Sequence, residues 1–216
     1  DEIKYISAPS DLKNMDGGYY YELTGDIDLA GLEWGGTEMV GVFDGKGYSI
    51  KNMSFVGTVK NSNAQIGLFK NAIGVIHNLN IEEATIIVDV TSDDGSQYAA
   101  YVGGILAGPT QGSTFVIIRN CTVDKYSIFT VKNTVGSAHA GGIVGDAHNT
   151  TVITDCTNSG NVSATSSRSE AYVGGIAGGI YDSIIINCIN NGEITSTYFA
   201  GGIAGEASGV TIYNCT

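Results

Sequence analysis

One short pattern recurs six times along this chain and constrains the fold more than any other feature. A glycine followed by two apolar residues begins each copy, and successive copies are separated by 26 residues (Gly41 to Gly67) to 38 residues (Gly104 to Gly142). The copies are Gly-Val-Phe at 41–43, Gly-Leu-Phe at 67–69, Gly-Ile-Leu at 104–106, Gly-Ile-Val at 142–144, and Gly-Ile-Ala at 175–177 and 202–204. Self-similarity with a period of about 20–50 residues is typical of solenoids, propellers and arrays.

A second pattern follows each glycine: isoleucine, any residue, Asn or Asp, then an apolar residue. It occurs at 50–53, 76–79, 118–121, 153–156, 185–188 and 212–215. Asn tolerates left-handed backbone geometry, and its amide can bond to an equivalent amide one layer away. The central residues are therefore predicted to form a ladder at one corner of a stacked coil: Asn52, Asn78, Asn120, Asp155, Asn187 and Asn214.

The four cysteines occupy the last position of this pattern, where Met53 and Leu79 stand in earlier copies. A position that accepts Met, Leu and Cys is a core position, because a free cysteine packs as a small hydrophobe. Stacked residues whose Cβ vectors point the same way suit disulfide geometry poorly. We therefore expect mostly or wholly free thiols.

The remaining composition favours short strands. Glycine accounts for 31 of 216 residues and proline for 2, and apolar runs are short and β-branched, as at 116–118 and 184–186. A propeller blade needs about 40 residues, and a hexapeptide period is absent. The sequence predicts an all-β, right-handed, single-stranded parallel β-helix of about six coils over residues 39–216. Residues 1–38 do not match the repeat and are predicted to form an N-terminal cap with a short helix over 9–15, N-capped by Ser7.

Charge and hydropathy exclude several kinds of partner. The net charge of −12 disfavours binding to nucleic acid. No apolar run reaches 18 residues, so no membrane insertion is expected in this segment. Loops are predicted at 92–98, 108–114, 133–138 and 164–171, where the intervals between repeats lengthen. The chain ends in the middle of a repeat, and we expect further repeats or domains in the natural protein.

Four residues form the main candidate ligand site. Three positions before the repeat glycines stand Tyr101, His139, Tyr172 and Phe199, with Ala64 and Glu38 in the earlier copies. An outward row of aromatic side chains can hold sugars or extended chains. The alternative is that these rings pack on one another or on neighbouring loops, because aromatic pairs across strands stabilise a sheet by themselves. Tyr98 and Tyr181 are near enough in sequence to join the row.

Metal binding and catalysis have weaker support. Asp26 and Asp28 flank Ile27 and are a weak calcium candidate; no cofactor is predicted. A glycosidase needs two carboxylates across one bond. The repeat alignment brings no such pair together among the candidates Asp89, Asp93, Asp94, Asp124, Asp146, Asp155 and Asp182, apart from the adjacent Asp93 and Asp94.

The repeats resemble the GLUG-motif family of bacterial surface proteins. The matching segments are Ala-Gly-Gly-Ile-Val-Gly at 140–145, Val-Gly-Gly-Ile-Ala-Gly at 173–178 and Ala-Gly-Gly-Ile-Ala-Gly at 200–205, with similar entry segments at 12–15, 25–29 and 43–52. Such repeats are similar to those of the β-helical region of IgA1-cleaving zinc proteases. The resemblance implies an extracellular, secreted or surface-attached bacterial protein. The His-Glu-x-x-His zinc motif is absent; the histidines are His77, His139 and His148.

Three functions follow as expectations. The first is a non-catalytic, adhesin-like module that binds a glycan or an extracellular protein. The second is a passive stalk or spacer within a larger secreted protease. The third is a carbohydrate-active lyase or hydrolase with its site in the insertions between residues 92 and 172, which three acids meeting in one groove would support.

Overall fold

The computed structural model describes residues 2–108, 115–148 and 150–216. Their regular secondary structure consists of one short helix, α1 (Pro9–Lys13), and otherwise of strands. In chain order the strands are β1 (Ile3–Ile6), β2 (Tyr19–Leu23), β3 (Ile27–Asp28), β4 (Thr37–Asp44), β5 (Ser49–Lys51), β6 (Ser54–Lys60), β7 (Ala64–Ile66), β8 (Phe69–Glu82), β9 (Thr85–Thr91), β10 (Ala100–Gly103), β11 (Val116–Val123), β12 (Ile128–Asn133), β13 (Ala138–Gly141), β14 (Val144–Ala147), β15 (Thr151–Thr154), β16 (Thr157–Asn158), β17 (Asn161–Ser166), β18 (Ala171–Gly174), β19 (Ala177–Tyr181), β20 (Ile184–Ile186), β21 (Ile189–Asn190), β22 (Ile194–Ser196), β23 (Phe199–Gly201), β24 (Ala204–Ser208) and β25 (Thr211–Tyr213).

The strands form parallel sheets in which each strand pairs with its counterpart in the next repeat. One sheet has the main order β1-β2-β4-β8-β11-β15-β20-β25. Three others have the orders β7-β10-β13-β18-β23, β6-β9-β12-β17-β22 and β14-β19-β24. Partners lie about one repeat apart in sequence, as with Tyr101, His139 and Tyr172. This nearly all-β, parallel arrangement is consistent with a β-helix.

At the N-terminus, the strands β1 and β2 extend the stack, and α1 lies at its end. β1 pairs with β2, and β2 pairs with β4. The N-cap of α1 is Ala8, and the prediction of Ser7 was wrong. The Asp11 carboxylate accepts hydrogen bonds from the backbone N–H groups of Ser7 (2.8 Å) and Ala8 (2.9 Å), so a side chain of the helix itself satisfies the groups at its entry.

The predicted Asn ladder is present as a corner of left-handed residues. Five of its members have φ between 51° and 54°: Asn78, Asn120, Asp155, Asn187 and Asn214. Each amide nitrogen donates to the residue one layer earlier, from Asn120 to Asn78 (2.7 Å), from Asn187 to Asp155 (3.0 Å) and from Asn214 to Asn187 (2.8 Å). The bonds tie successive layers together on the outside of the turn.

Asn52 belongs to a different corner. β5 pairs Ile50 with Ile81, not with Ile76 as the pattern predicted, and Asn52 is level with Glu83, which also has a positive φ. Likewise Gly41 pairs with Gly74 and is not equivalent to the other repeat glycines. Two corners of the coil require left-handed backbone geometry, so similar short patterns occur at both. The sequence alignment therefore assigned the first copy to the wrong corner.

The core is built from columns of similar apolar side chains. Ile76, Ile118, Ile153 and Ile185 are fully buried and lie in register. A second column consists of Leu79 and the cysteines, with Cys121, Cys156 and Cys188 buried and Cys215 half-buried; all four thiols are free. Burying each isoleucine is worth about 1.5–3 kcal/mol.

The paired glycines of the repeat allow neighbouring segments of the coil to approach one another closely. A Cβ added to Gly142 would lie 2.2 Å from Cγ of Asn158 and 2.4 Å from the carbonyl oxygen of Gly175. Asn158 is fully buried, and it donates to the carbonyl of Gly160 (2.9 Å) and to Oδ1 of Asn190 (2.9 Å). The glycine therefore makes room for an internal asparagine that organises the opposite corner.

Candidate functional site

The four predicted aromatic residues form one continuous column. Tyr101, His139, Tyr172 and Phe199 pair in register through β10, β13, β18 and β23. Ring centroids are 5.1 Å apart for Tyr101 and His139, 5.0 Å for His139 and Tyr172, and 5.3 Å for Tyr172 and Phe199. In the preceding layer Gln65 stands at this position, not Ala64 as the alignment implied.

Strand alternation positions the column on the outside of the core. Val102, Ala140 and Val173 are fully buried and point the opposite way from the aromatic residues beside them. Exposure along the column is uneven: His139 is 7% exposed, whereas Phe199 is 47% exposed. The rings contact one another, as the alternative interpretation expected, and the most exposed ring is that of Phe199, on the last strand of this sheet.

A buried carboxylate adjoins the column. The segment 142–143 turns the chain from β13 to β14, which brings Asp146 beside His139. Asp146 is 2% exposed; its Oδ2 lies 2.9 Å from Nε2 of His148, and its Oδ1 lies 3.3 Å from Nδ1 of His139. Neither Oδ1 of Asp146 nor Nδ1 of His139 makes a hydrogen bond of acceptable geometry. Such buried, unsatisfied polar atoms are uncommon and need an explanation.

Asp146 lies in a second column that has a glycine at its centre. β14, β19 and β24 place Asp146, Gly179 and Glu206 level with one another in successive layers. A Cβ added to Gly179 would lie 2.2 Å from Oδ1 of Asp146 and 3.0 Å from Nδ1 of His139. The Asp146 carboxylate therefore leans over Gly179 toward Glu206.

Two tyrosines lie close to Glu206 of this second column. Tyr181 stacks on His148 with 4.5 Å between ring centroids, and its hydroxyl donates to Glu206. The Tyr172 hydroxyl donates to Glu170. We call the group formed by Asp146, Gly179, Glu206, Tyr172 and Tyr181 the carboxylate slot.

The electrostatics of the slot are dominated by negative charge. Burial, and then the hydrogen bond to Glu206, hold the pKa of Tyr181 well above its ordinary value. Burial, and then the hydrogen bond to Glu170, do the same for the pKa of Tyr172. Among the described residues, no lysine or arginine forms an ion pair with Asp146, Glu170 or Glu206.

This arrangement limits the chemistry available. No group of three His, Cys, Asp or Glu side chains in the described ranges converges as a metal site. A glycosidase needs two carboxylates that reach one bond. The acids do gather here, but both oxygens of Asp146 face histidines inside the protein, and Glu206 and Glu170 each accept from a tyrosine.

The weak calcium candidate is occupied by protein donors. Asp26 lies 2.7 Å from Nζ of Lys51 and accepts from the backbone of Ser49 (2.9 Å). Asp28 accepts from Nδ2 of Asn52 (2.8 Å). These donors lower the pKa of both carboxyls. They engage both oxygens of Asp26 and Oδ1 of Asp28.

Tyr98 lies apart from the aromatic column. Its hydroxyl donates to Asp94 (2.7 Å), and its backbone carbonyl accepts from Nδ2 of the buried Asn133 (2.8 Å). The predicted loops at 92–98 and 133–138 therefore pack together at one corner. The predicted loop at 108–114 lies outside the described residues except for Gly108, and β17 shortens the loop at 164–171 to residues 167–170.

Sequence reasoning missed most of the slot. Asp146 was considered only as one of several isolated acids, and His148 and Glu206 were not singled out. The sequence did contain a signal for this cluster. One repeat glycine segment lies between His139 on one side and Asp146 and His148 on the other, and a turn within that segment must bring its two ends together.

Comparison with known proteins gives a fold match. No family model matches the chain, so the GLUG resemblance remains a resemblance. No curated protein matches it either. Among solved structures, the chain is similar to a putative immunoglobulin A1 protease from Bacteroides ovatus, with a TM-score of 0.58 and 21% sequence identity. The match covers 98% of this chain and 74% of that protein. At this identity the likeness concerns the fold.

No helix in the described residues has both the length and the apolar character needed to cross a membrane.

Proposed function

We propose that this chain is a non-catalytic structural shaft within a larger extracellular or surface protein of a bacterium. It would be a right-handed parallel β-helix of about six coils, and it would hold other parts of that protein apart. The observation that carries the proposal is the parallel, layer-by-layer pairing of every repeat with the next.

Two further observations support this role. Side-chain ladders of asparagine, cysteine and isoleucine bond or pack each layer onto its neighbours, and such one-dimensional stacks tolerate changes in repeat number. The similarity in fold to a protein described as an IgA1 protease fits a spacer region, because the zinc-binding motif of such enzymes is absent from this chain.

Deletion of one whole repeat tests the shaft role. Removing residues 142–174 joins Gly141 to Gly175 and preserves the paired-glycine segment. We expect the shortened protein to keep its β-sheet circular dichroism and cooperative unfolding. The control removes only half a repeat, residues 142–157, which joins Gly141 to Asn158; this brings non-equivalent strands into line, breaks the register and should prevent folding. Equal loss of structure in both deletions would contradict the proposal.

Ligand binding along the aromatic column is a second candidate, favoured by the unbroken ring-to-ring contact of its four members on the outer face of one sheet. An array of glycans and extracellular proteins tests it. Binding that falls in Tyr172→Ala and Phe199→Ala, but persists in the control Tyr213→Ala, supports an adhesin. Tyr213 is a suitable control because it is 68% exposed on another sheet. Absence of binding to every target would reject this candidate and leave the shaft role.

A further inference from the structure

We infer that a cleft at the loop corner of the coil binds a sugar that carries a carboxylate. The cleft is separate from the aromatic column and from the carboxylate slot. Its role goes beyond the shaft function and does not depend on it.

The cleft lies where three loops stack in successive layers. The strands β9, β12 and β17 pair in register, so the loops that follow them, at 92–99, 134–137 and 167–170, lie side by side. They surround a cavity of about 350 Å³ that is partly open to solvent. Ligand pockets measure about 300–1,000 Å³, so this cavity has room for a ligand the size of one sugar unit.

Internal hydrogen bonds fix the shape of the cleft. Oδ1 of the buried Asn133 accepts from the N–H groups of Val135 (2.9 Å) and Gly136 (2.9 Å), and its Nδ2 donates to the carbonyl of Tyr98 (2.8 Å). The Ser166 hydroxyl donates to the carbonyl of Gly136 (2.8 Å). Each loop is therefore tied to its neighbour in the adjacent layer, and little ordering is needed when a ligand binds.

One guanidinium in the lining of the cleft has no counter-charge. Arg168 lines the cavity and forms no ion pair within the part of the chain that the structure describes. Asp93 lines it too, but Nζ of Lys60 lies 2.7 Å from its Oδ2, and Nδ2 of Asn61 donates to its Oδ1 (2.6 Å). Because an arginine fork matches a carboxylate in a bidentate arrangement, the free charge favours a carboxylate on the ligand.

The hydroxyl groups of the cleft require hydrogen-bond donors on the same ligand. The Ser92 hydroxyl donates to Asp94 (2.5 Å), and the Thr134 hydroxyl donates to the carbonyl of Val90 (3.1 Å). A hydroxyl has one proton, so both can only accept from a ligand. An acidic amino-acid residue offers one backbone N–H, whereas a sugar acid offers several hydroxyls beside its carboxylate. The sugar acid therefore fits the cleft better.

Titration followed by ¹⁵N NMR tests the inference on the full 216-residue chain. The probes are methyl β-glucuronide and the methyl glycoside of N-acetylneuraminic acid, and the readout is the backbone amide shifts of Gly95, Ser96 and Val135. We expect at least one probe to produce saturating shifts confined to these amides and their neighbours. Methyl β-glucoside lacks the carboxylate and acetate lacks the hydroxyls, so each should bind about tenfold more weakly or worse.

The two arginines of the chain form a matched pair of variants. Arg168→Gln should raise the half-saturating concentration of the sugar acid about tenfold or more, because a hydrogen bond between charged groups is lost. Arg119→Gln removes the same charge from an exposed position on β11 and should change that concentration less than about twofold. Both side chains are exposed, so both variants should melt at the temperature of the parent protein.

A third variant separates the sugar hydroxyls from the carboxylate. Thr134→Val keeps the shape of the side chain, and the backbone N–H of residue 134 still donates to the carbonyl of Val90 (3.1 Å). The half-saturating concentration of the sugar acid should rise about two- to tenfold, as expected for one neutral hydrogen bond, while that of acetate should stay the same.

Four results would overturn the inference. They are the absence of saturating shifts with both sugar acids, shifts that do not localise to the cleft, equal effects of the two arginine variants, and acetate binding as tight as that of the sugar acids. Tighter binding of Nα-acetyl-glutamate methylamide than of either sugar acid would also reject it and point to an acidic peptide. None of these outcomes bears on the repeat-deletion test of the shaft.

Discussion

Replacing Gly142 by alanine should strongly destabilise the protein, whereas the same change at Gly202 should not. Both glycines hold the second position of the Gly-Gly-Ile segment, one repeat copy in the interior and one near the C-terminal end. A Cβ at Gly142 would meet Asn158 at 2.2 Å and the Gly175 carbonyl at 2.4 Å, while nothing lies within 4 Å of a Cβ at Gly202. Comparing the two substitutions therefore separates the effect of steric close approach from the effect of glycine's backbone entropy.

The expected magnitude has two parts. Overpacking costs about 1–3 kcal/mol. Displacement of Asn158 also breaks its hydrogen bonds to the N–H (3.1 Å) and C=O (2.9 Å) of Gly160, and each buried group left unpaired costs about 1–3 kcal/mol. With two such groups, the parts together predict a loss of about 3–9 kcal/mol for Gly142→Ala, a large part of a typical stability of about 5–15 kcal/mol. Gly202→Ala should gain or lose less than about 1 kcal/mol.

Guanidinium unfolding followed by circular dichroism measures the difference. The midpoint of Gly142→Ala should fall well below that of Gly202→Ala, or the variant should fail to fold. If the two midpoints agree within error, the close packing of this glycine against Asn158 does not contribute to stability, and the account of the repeat segment is refuted.

Three further predictions concern the ladders and the cap. Asp155→Asn should stabilise the protein by up to about 1 kcal/mol, because an amide can donate to Asn120 where a carboxylate cannot; a lower unfolding midpoint would contradict this. Hydrogen bonds from Ser7 lower the pKa of Asp11, so its contribution is complete above the unfolded value of about 3.9 and is lost as the pH falls through the lower folded value. Asp11→Asn should therefore flatten the acid side of a plot of melting temperature against pH, and an unchanged curve would exclude Asp11 as a cause. With a thiol reagent and mass spectrometry, half-buried Cys215 should react first in the native protein and the three buried cysteines only after unfolding; early reaction of a buried thiol would contradict the core packing.

Local physical demands explain which parts of the fold the sequence could predict. The isoleucine and cysteine columns recur because a stacked coil must present the same apolar side chain in every layer, and Asn78, Asn120, Asn187 and Asn214 recur because one corner needs left-handed geometry. The same reasoning misplaced Asn52, since a second corner also requires a positive φ. Glu83 has that positive φ one layer later. Short patterns identify the kind of corner but not which corner it is.

The candidate site was only half predictable for a different reason. The aromatic column follows from one sheet, so a constant offset from the repeat glycine found Tyr101, His139, Tyr172 and Phe199. The slot arises where two sheets meet, and its members sit at different offsets in different repeats. Asp146 and Glu206 are separated by a layer in which the equivalent residue is Gly179, so no repeated acidic position marks the column.

Cross-strand nuclear Overhauser effects would test the central claim, parallel stacking of successive repeats, most directly. The account predicts backbone contacts that link Tyr101 to His139, His139 to Tyr172, and Tyr172 to Phe199, with the inter-strand pattern of parallel pairing. Strong Hα–Hα contacts between neighbouring strands, the mark of antiparallel hairpins, would contradict the stacked coil and with it the proposed shaft.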